Sequence, residues 1–139
     1  MSRVFVHGTG AVTPAGWCVP ALRHAMETNC APSPDTLTRP GRKEPLQIRA
    51  VPPPAQRPGF LTHPRLRRAS ALTHHTVAAS LEALGGEIHT VQSGELRLGI
   101  VACLMPGCVM YSRRFYEEVL QNPATASPLI FPETVFNSR

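Results

Sequence analysis

Hydrophobic positions along the chain switch between extended and helical spacing. Residues 3–7 read Arg-Val-Phe-Val-His, a β-branched and aromatic run that predicts a strand ending at Gly8. Residues 96–104 are apolar except for Arg97. Such a continuous apolar run is typical of a strand buried on both faces. The two runs predict two strands of one sheet.

Three segments carry apolar residues at helical spacing. The first covers residues 17–30 and has Pro20 in its first turn, where proline is tolerated. The second runs from Leu66 to Leu84 and stops at Gly85. The third covers residues 109–120, with Pro123 behind it. The second helix also carries a stripe of small side chains that permits close packing. Its members are Ala69, Leu72, Thr76, Ala79 and Ala83.

Prolines interrupt the middle of the chain. Nine of the 15 prolines fall between positions 32 and 64, and at that density only a short extended piece over residues 46–51 is expected. A tail over residues 127–137 is expected to be extended. The order of strand, helix, proline loop, helix, strand, helix and tail predicts an α/β protein. Its strands are expected to be parallel, in a mixed sheet that is incomplete because only two strands are predicted.

Length and charge narrow the possible functions. The 139 residues fit one domain, and the net charge is +5, with 13 of the 14 basic residues being Arg. Arg65, Arg67 and Arg68 form a cluster, but no aromatic side chains interleave with it. A nucleic-acid interface usually combines a basic stripe with such aromatics. The cluster therefore favours a solvated or anion-facing patch, with nucleic-acid binding as the weaker interpretation.

The first residues and the cysteines bear on the compartment. The start of the chain lacks the charged and apolar regions of a signal peptide, and no apolar run is long enough to span a bilayer. Four cysteines, at positions 18, 30, 103 and 108, show no spacing typical of a secreted scaffold. We therefore expect free thiols in the cytoplasm.

Three kinds of chemistry are disfavoured by spacing. A dinucleotide fingerprint beginning at Gly8 needs a glycine at position 13, where Thr13 stands. His74 and His75 are adjacent, so on a helix they point about 100° apart and do not readily share one zinc ion. Cys103 lies at the end of an apolar run without a recognisable nucleophile motif. A structural thiol is the favoured interpretation there.

Four segments, in order along the chain, resemble those of β-ketoacyl synthases. Residues 4–16, Val-Phe-Val-His-Gly-Thr-Gly-Ala-Val-Thr-Pro-Ala-Gly, resemble the family's opening V-V-V-T-G-x-G-x-V-(T/S)-P-x-G, with His7 in place of the usual Thr. Residues 67–84 resemble its R-(M/A)-S…A-A-x-x-A-L helix, and residues 98–102 its following strand. Residues 127–137 are similar to S-P-x-x-(F/V)-P-x-(T/M)-x-x-N. Within this segment, residues 131–137, Phe-Pro-Glu-Thr-Val-Phe-Asn, most resemble a divergent branch of the family that is found in bacterial aryl-polyene and related polyketide clusters.

The resemblance implies a partial thiolase-like fold. Residues 1–139 would be the opening part of its N-terminal half, with a proline-rich loop at 31–64 and the downstream part of the domain absent. The family condenses acyl and malonyl thioesters by decarboxylative Claisen chemistry in fatty acid or polyketide biosynthesis. Its catalytic Cys and two His residues map downstream of this segment. The resemblance therefore assigns no catalytic residue and no cofactor, and whether the whole protein is an active acyltransferase stays open. The chain alone is expected to be inactive.

The resemblance also implies binding residues and partners. The expected wall of the acyl tunnel, for which plain core packing is the alternative, comprises Leu104, Met105, Cys108, Phe131, Thr134, Val135 and Phe136. The Arg cluster, Arg65, Arg67 and Arg68, is expected to contact an acyl carrier protein. The expected assembly is a homodimer, or a heterodimer with a ketosynthase. The alternative function is a noncatalytic relative resembling a chain-length factor, or a stand-alone protein-interaction module. In either case the chain should expose apolar patches and associate or dissolve poorly.

Overall fold

The described part of the chain falls into two compact units. The computed structural model describes residues 3–39, 41, 43–67, 69–103, 109–124 and 126–127. One unit lies within Met1–Arg97 and the other within Leu98–Arg139. The first unit contains helix α1 (Val19–Glu27), strands β1 (Asp35–Leu37) and β2 (Leu46–Ile48), helix α2 (Ala71–Leu84) and helix α3 (Ile88–Ser93). The second contains helix α4 (Val109–Gln121).

Helix α1 confirms the first predicted helix and has a well-defined end. Pro20 lies in its first turn, as expected. At the other end Asn29 adopts a left-handed conformation with φ of 51°. The amide of Cys30 donates to the Ala25 carbonyl at 3.0 Å, and the amide of Asn29 donates to the Met26 carbonyl at 3.3 Å. These are the two hydrogen bonds of a Schellman motif, which satisfies carbonyls that a helix end otherwise leaves free.

Helix α2 confirms the second predicted helix but begins later than expected. Residues Pro64–Leu66 form a short 3-10 turn instead of helix. The helix starts behind Ser70, whose hydroxyl accepts a hydrogen bond from the Thr73 amide at 3.2 Å. Serine is a preferred N-cap because its oxygen satisfies one of the free amides of the first turn. Gly85, with φ of 51°, terminates the helix as predicted.

The proline-rich segment holds a small hairpin. Strand β2 confirms the extended piece expected after residue 45, and β1 is an element that the sequence analysis did not predict. The two strands are antiparallel, with Asp35 opposite Ile48 and Leu37 opposite Leu46. A mixture of helices with one two-stranded sheet is compatible with the α/β class. The expected parallel arrangement is wrong for the described residues, whose one sheet is this antiparallel pair.

Both predicted core strands are wrong within the described residues. Residues 3–7 and 97–103 belong to no strand. Val4 is 95% exposed and Val6 85%, while Ile100 is 82% exposed and Val101 100%. A strand requires a neighbour to accept and donate its backbone hydrogen bonds, and the described part of the chain offers none beside either segment. Of the expected tail at 127–137, only Ser127 is among the described residues.

Residues 3–16, called the opening segment below, instead pack against the backbone of α2. A Cβ atom built on Gly8 would overlap the Ala83 carbonyl, and one built on Gly10 would overlap the Ala79 carbonyl. Because both helix residues are alanines and both facing residues are glycines, the two backbones can approach closely. Ala79 and Ala83 of the small-residue stripe thus permit close packing, but against this extended segment and not against the expected sheet or second helix.

Burial is otherwise slight. Every described residue whose side chain is placed is exposed or half-buried, and none is buried. The chain's accessible surface is 11940 Å². A folded monomer of this mass exposes about 7,000 Å². The prediction that apolar side chains are exposed is confirmed, and the expected association or poor solubility stays a prediction.

We expect the substitution Gly10→Ala to destabilise the first unit by about 1–3 kcal/mol, because the new methyl group forces the opening segment away from α2. Urea unfolding followed by the fluorescence of Trp17, the one tryptophan of the chain, measures the change. Gly59→Ala is the matched control, since a Cβ there meets open space. Equal unfolding free energies for the two variants would contradict the close approach.

Candidate functional site

The Glu82 carboxylate joins three elements of the first unit. Its Oε2 accepts a hydrogen bond from the Ala11 amide at 2.9 Å, and its Oε1 accepts one from the Val19 amide at 2.8 Å. Ala11 belongs to the opening segment, Val19 is the first residue of α1, and Glu82 lies on α2. A carboxylate at a helix N-terminus is favourable, because it faces free amides and the positive end of the helix dipole.

Glu82 also supplies what the α1 N-terminus lacks locally. Cys18 occupies the N-cap position and makes no side-chain hydrogen bond to the helix. The Glu82 contact spans 63 positions and therefore serves as a cap from a distant element. Since each carboxylate oxygen accepts a backbone amide from a different segment, we interpret Glu82 as a positioning residue. Sequence reasoning missed it, although it is the one acidic residue of α2.

The opening segment ends in a tight turn. Thr13 and Gly16 exchange backbone hydrogen bonds of 2.8 and 3.0 Å, and the Thr13 hydroxyl accepts one from the Ala15 amide at 3.2 Å. The glycines before this turn meet helix backbone rather than open space. Their packing accounts for the Gly-x-Gly spacing without a nucleotide, in agreement with the sequence interpretation.

A second polar contact ties the proline-rich segment to α2 and the start of α1. The Trp17 indole Nε1 donates to the Pro52 carbonyl at 2.6 Å. The ring of His75 lies edge-on to Trp17, with 5.1 Å between ring centroids. Burial against these neighbours lowers the pKa of His75, and the adjacent His74 lowers it further. Trp17 and His75 are therefore part of the packing that holds the loop.

The two adjacent histidines have separate surroundings, as their spacing predicted. The His74 Nε2 lies 2.8 Å from the Leu66 carbonyl, whereas His75 faces Trp17. Within the described ranges, no group of three or more His, Cys, Asp or Glu side chains is placed to hold a metal ion.

Two of the predicted binding residues are placed by the structure. Arg65 and Arg67 are exposed, Arg65 within the 3-10 turn Pro64–Leu66 and Arg67 directly after it, and neither is paired with an acidic side chain among the described residues. The His63 ring accepts a hydrogen bond from the Arg65 amide at 3.3 Å, which fixes the start of this turn. The remaining predicted residues lie outside the described part of the chain. They are Arg68, Leu104, Met105, Cys108, Phe131, Thr134, Val135 and Phe136.

Comparisons with known proteins add no relative. No family model matches the chain, and no curated protein or solved structure is significantly similar to it. Among the helices of the described residues, none has the length and apolar character needed to cross a bilayer.

The substitution Glu82→Gln should release the opening segment and the first turn of α1. A Gln amide has one acceptor oxygen, so one of the two backbone amides loses its partner and faces an NH2 donor instead. The expected loss is about 1–3 kcal/mol of unfolding free energy. Amide hydrogen exchange at Ala11 and Val19 should accelerate in this variant. The matched control is Glu95→Gln, whose carboxylate has no described partner, and unchanged exchange in both variants would refute the role of Glu82.

The unfolding free energy should fall as the pH drops below neutrality, in part because of His75. The folded-state pKa of His75 is lower than its usual value of about 6.5. The unfolded chain therefore binds the proton first, so the stabilisation is present above pH 6.5 and is lost as the pH falls through the folded pKa. His75→Phe keeps an aromatic ring against Trp17 and should flatten the pH dependence of urea unfolding. His89→Phe, at an exposed position of α3, is the matched control, and an equal change of the pH dependence in both variants would contradict the role of His75.

Proposed function

We propose that residues 1–139 form the N-terminal part of a β-ketoacyl synthase-like domain. The proposed whole protein condenses acyl and malonyl thioesters carried by acyl carrier protein. No cysteine or histidine of this chain matches the family's catalytic motifs, so these residues by themselves are proposed not to catalyse condensation. Their role is to build one side of the domain and to offer a surface to the carrier protein.

One observation supports this proposal most directly. Two of the four segments that resemble the family, residues 4–16 and 67–84, lie against each other. The glycines of the first segment meet the alanines of the second, and Glu82 of the second holds the Ala11 amide of the first. The motif glycines and alanines thus make the close contact, which gives their spacing a physical basis, whereas Ala11 and Glu82 occupy positions that the motifs leave variable.

Unpaired apolar segments give a second line of support. Residues 4–6 of the first unit and residues 98–101 of the second carry large apolar side chains that water reaches freely. Apolar runs of this kind are stable when they pair as strands and are covered on both faces. We propose that further strands, from other parts of the protein or from a partner chain, complete a sheet around them.

Exposed arginines support the contact with a carrier. Arg65 and Arg67 present two positive charges without an acidic partner among the described residues. Such a patch attracts an acidic protein and accelerates its encounter. The same exposed apolar segments also fit the alternative function, a noncatalytic protein-interaction module, which needs no acidic carrier.

The double variant Arg65→Glu, Arg67→Glu should weaken binding of an acidic acyl carrier protein several-fold at low salt, because two attractive contacts become repulsive. Isothermal titration or chemical-shift titration measures the affinity. Arg57→Glu is the control, since Arg57 is exposed but outside the cluster. Equal affinity of the double variant and the control would remove the proposed carrier contact.

Two further outcomes bear on the family itself. Condensation of radiolabelled malonyl-carrier by the isolated chain would overturn the proposed inactivity. Sequencing the transcript beyond the codon of Arg139 tests the family assignment. A reading frame that continues into a ketosynthase Cys motif supports it, and a stop codon there favours the interaction module.

A further inference from the structure

An open groove runs beside α1, between its last two turns and the tight turn of the opening segment. Its volume is about 320 Å³. Most of its lining is apolar, contributed by Pro14, Ala15, Leu22, Ala25, Met26 and Pro32. The groove lies within the first unit and is formed by described residues alone. A pocket of this size accommodates a small molecule rather than a protein segment.

The walls of the groove are held by hydrogen bonds. The Thr13–Gly16 turn is closed by two backbone hydrogen bonds and supports Pro14 and Ala15. The Schellman motif at Asn29 and Cys30 fixes the end of α1. It also satisfies the carbonyls of Ala25 and Met26, so these oxygens already have a donor. The groove is therefore preformed, which lowers the entropy cost of filling it.

One charged side chain lines this groove. Arg49 is exposed at the rim, and its Nε donates to the Pro32 carbonyl at 3.0 Å, which orients the guanidinium. Among the described residues, no acidic side chain lines the groove, and no carboxylate forms an ion pair with Arg49. The terminal nitrogens of a guanidinium offer donors in a planar fork that matches a carboxylate.

A second groove lies next to the first and has a similar lining. This second groove, of about 290 Å³, shares Pro14, Ala15, Ala25, Cys30 and Pro32 with the first, and it also has no acidic residue in its lining. An anion that enters either groove therefore meets no like charge in the walls. Two prolines and one methionine offer surfaces that pack well against a flat ring, since thioether sulfur contacts aromatic rings favourably.

We propose that the groove beside α1 binds a small aromatic monocarboxylate. The carboxylate pairs with the Arg49 guanidinium, and the ring lies between Pro14, Pro32 and Met26. This inference does not rest on the proposed function, because it uses neither the Arg65 cluster nor the unpaired apolar segments. A half-open site with one exposed ion pair implies a dissociation constant on the order of 1 mM.

Cys30 provides a direct readout, because its thiol lines both grooves. The intact chain is alkylated with iodoacetamide, and the rate at each cysteine is followed by peptide mass spectrometry. We expect 3-phenylpropionate, at about ten times the dissociation constant, to slow alkylation of Cys30 up to roughly tenfold. Cys18 and Cys103 lie outside both grooves and serve as internal controls whose rates should not change.

Two matched ligands distinguish the contribution of the Arg49 charge to binding from the contribution of the apolar walls. 3-Phenylpropylamine keeps the ring and chain but reverses the charge, and propionate keeps the charge without the ring. Both should protect Cys30 less than 3-phenylpropionate does. Equal protection by the amine would overturn the role of Arg49, and equal protection by propionate would overturn the role of the apolar walls. Slowing of all cysteines alike would show nonspecific association and also overturn the proposal.

Variants of Arg49 complete the test. Arg49→Gln should weaken the protection about 1.5- to fivefold, the range expected for loss of one exposed ion pair. Arg49→Lys keeps the positive charge and should retain more of the Cys30 protection than Arg49→Gln does. Arg57→Gln removes a charge elsewhere and should retain all of the protection. If Gln and Lys at position 49 give the same loss, the Pro32 hydrogen bond rather than the charge holds the ligand site, and the ion pair is refuted.

Discussion

The first unit depends on one carboxylate that two backbone amides share. Helix α1 has nine residues, and an isolated helix of that length is marginal in water. Its N-cap residue Cys18 contributes no side-chain hydrogen bond. Glu82 replaces that cap from α2 and, with its second oxygen, holds the Ala11 amide. Hydrogen bonds to charged groups contribute about 1.5–3 kcal/mol each, which is enough to decide the position of a short helix.

This contact matters more here than in a protein with a large core. None of the placed side chains is buried, so hydrophobic burial contributes little per residue. Caps, turns and the close approach of Gly10 to α2 therefore account for a larger share of the stability than usual. The exposed apolar runs are where further burial is available, and we propose that additional strands supply it.

Local signals in the sequence predicted three of the four described helices and missed the short helix α3, and nonlocal partners explain the strands that the sequence could not predict. Pro20, Gly85 and the apolar spacing of the three helices act within a few residues, so those helices are where the sequence places them. Strand β1 depends on its pairing with β2, whose partner residues lie 9 to 13 positions further along the chain, in a segment where prolines obscure any pattern. Residues 97–103 have the composition of a strand but no neighbour to pair with in the described part of the chain. Composition selects a conformation only if the hydrogen-bond partner exists.

The residues of the candidate sites also divide into those that local sequence signals reveal and those that only nonlocal contacts reveal. The sequence located Arg65 and Arg67 because a run of like charges is visible without a fold. Glu82 and Arg49 were missed, since their importance comes from contacts with residues far along the chain. The Arg49 contact with Pro32, for example, closes a groove whose other wall is the Thr13–Gly16 turn.

The contacts of Gly8 and Gly10 distinguish between two possible roles of a Gly-x-Gly motif. In a nucleotide site, glycines leave room for a phosphate at a helix N-terminus. Here a Cβ at either glycine would meet the carbonyl oxygens of α2, and an acidic side chain occupies the α1 N-terminus. A carboxylate in that place repels a phosphate. The glycines of this chain therefore serve backbone packing.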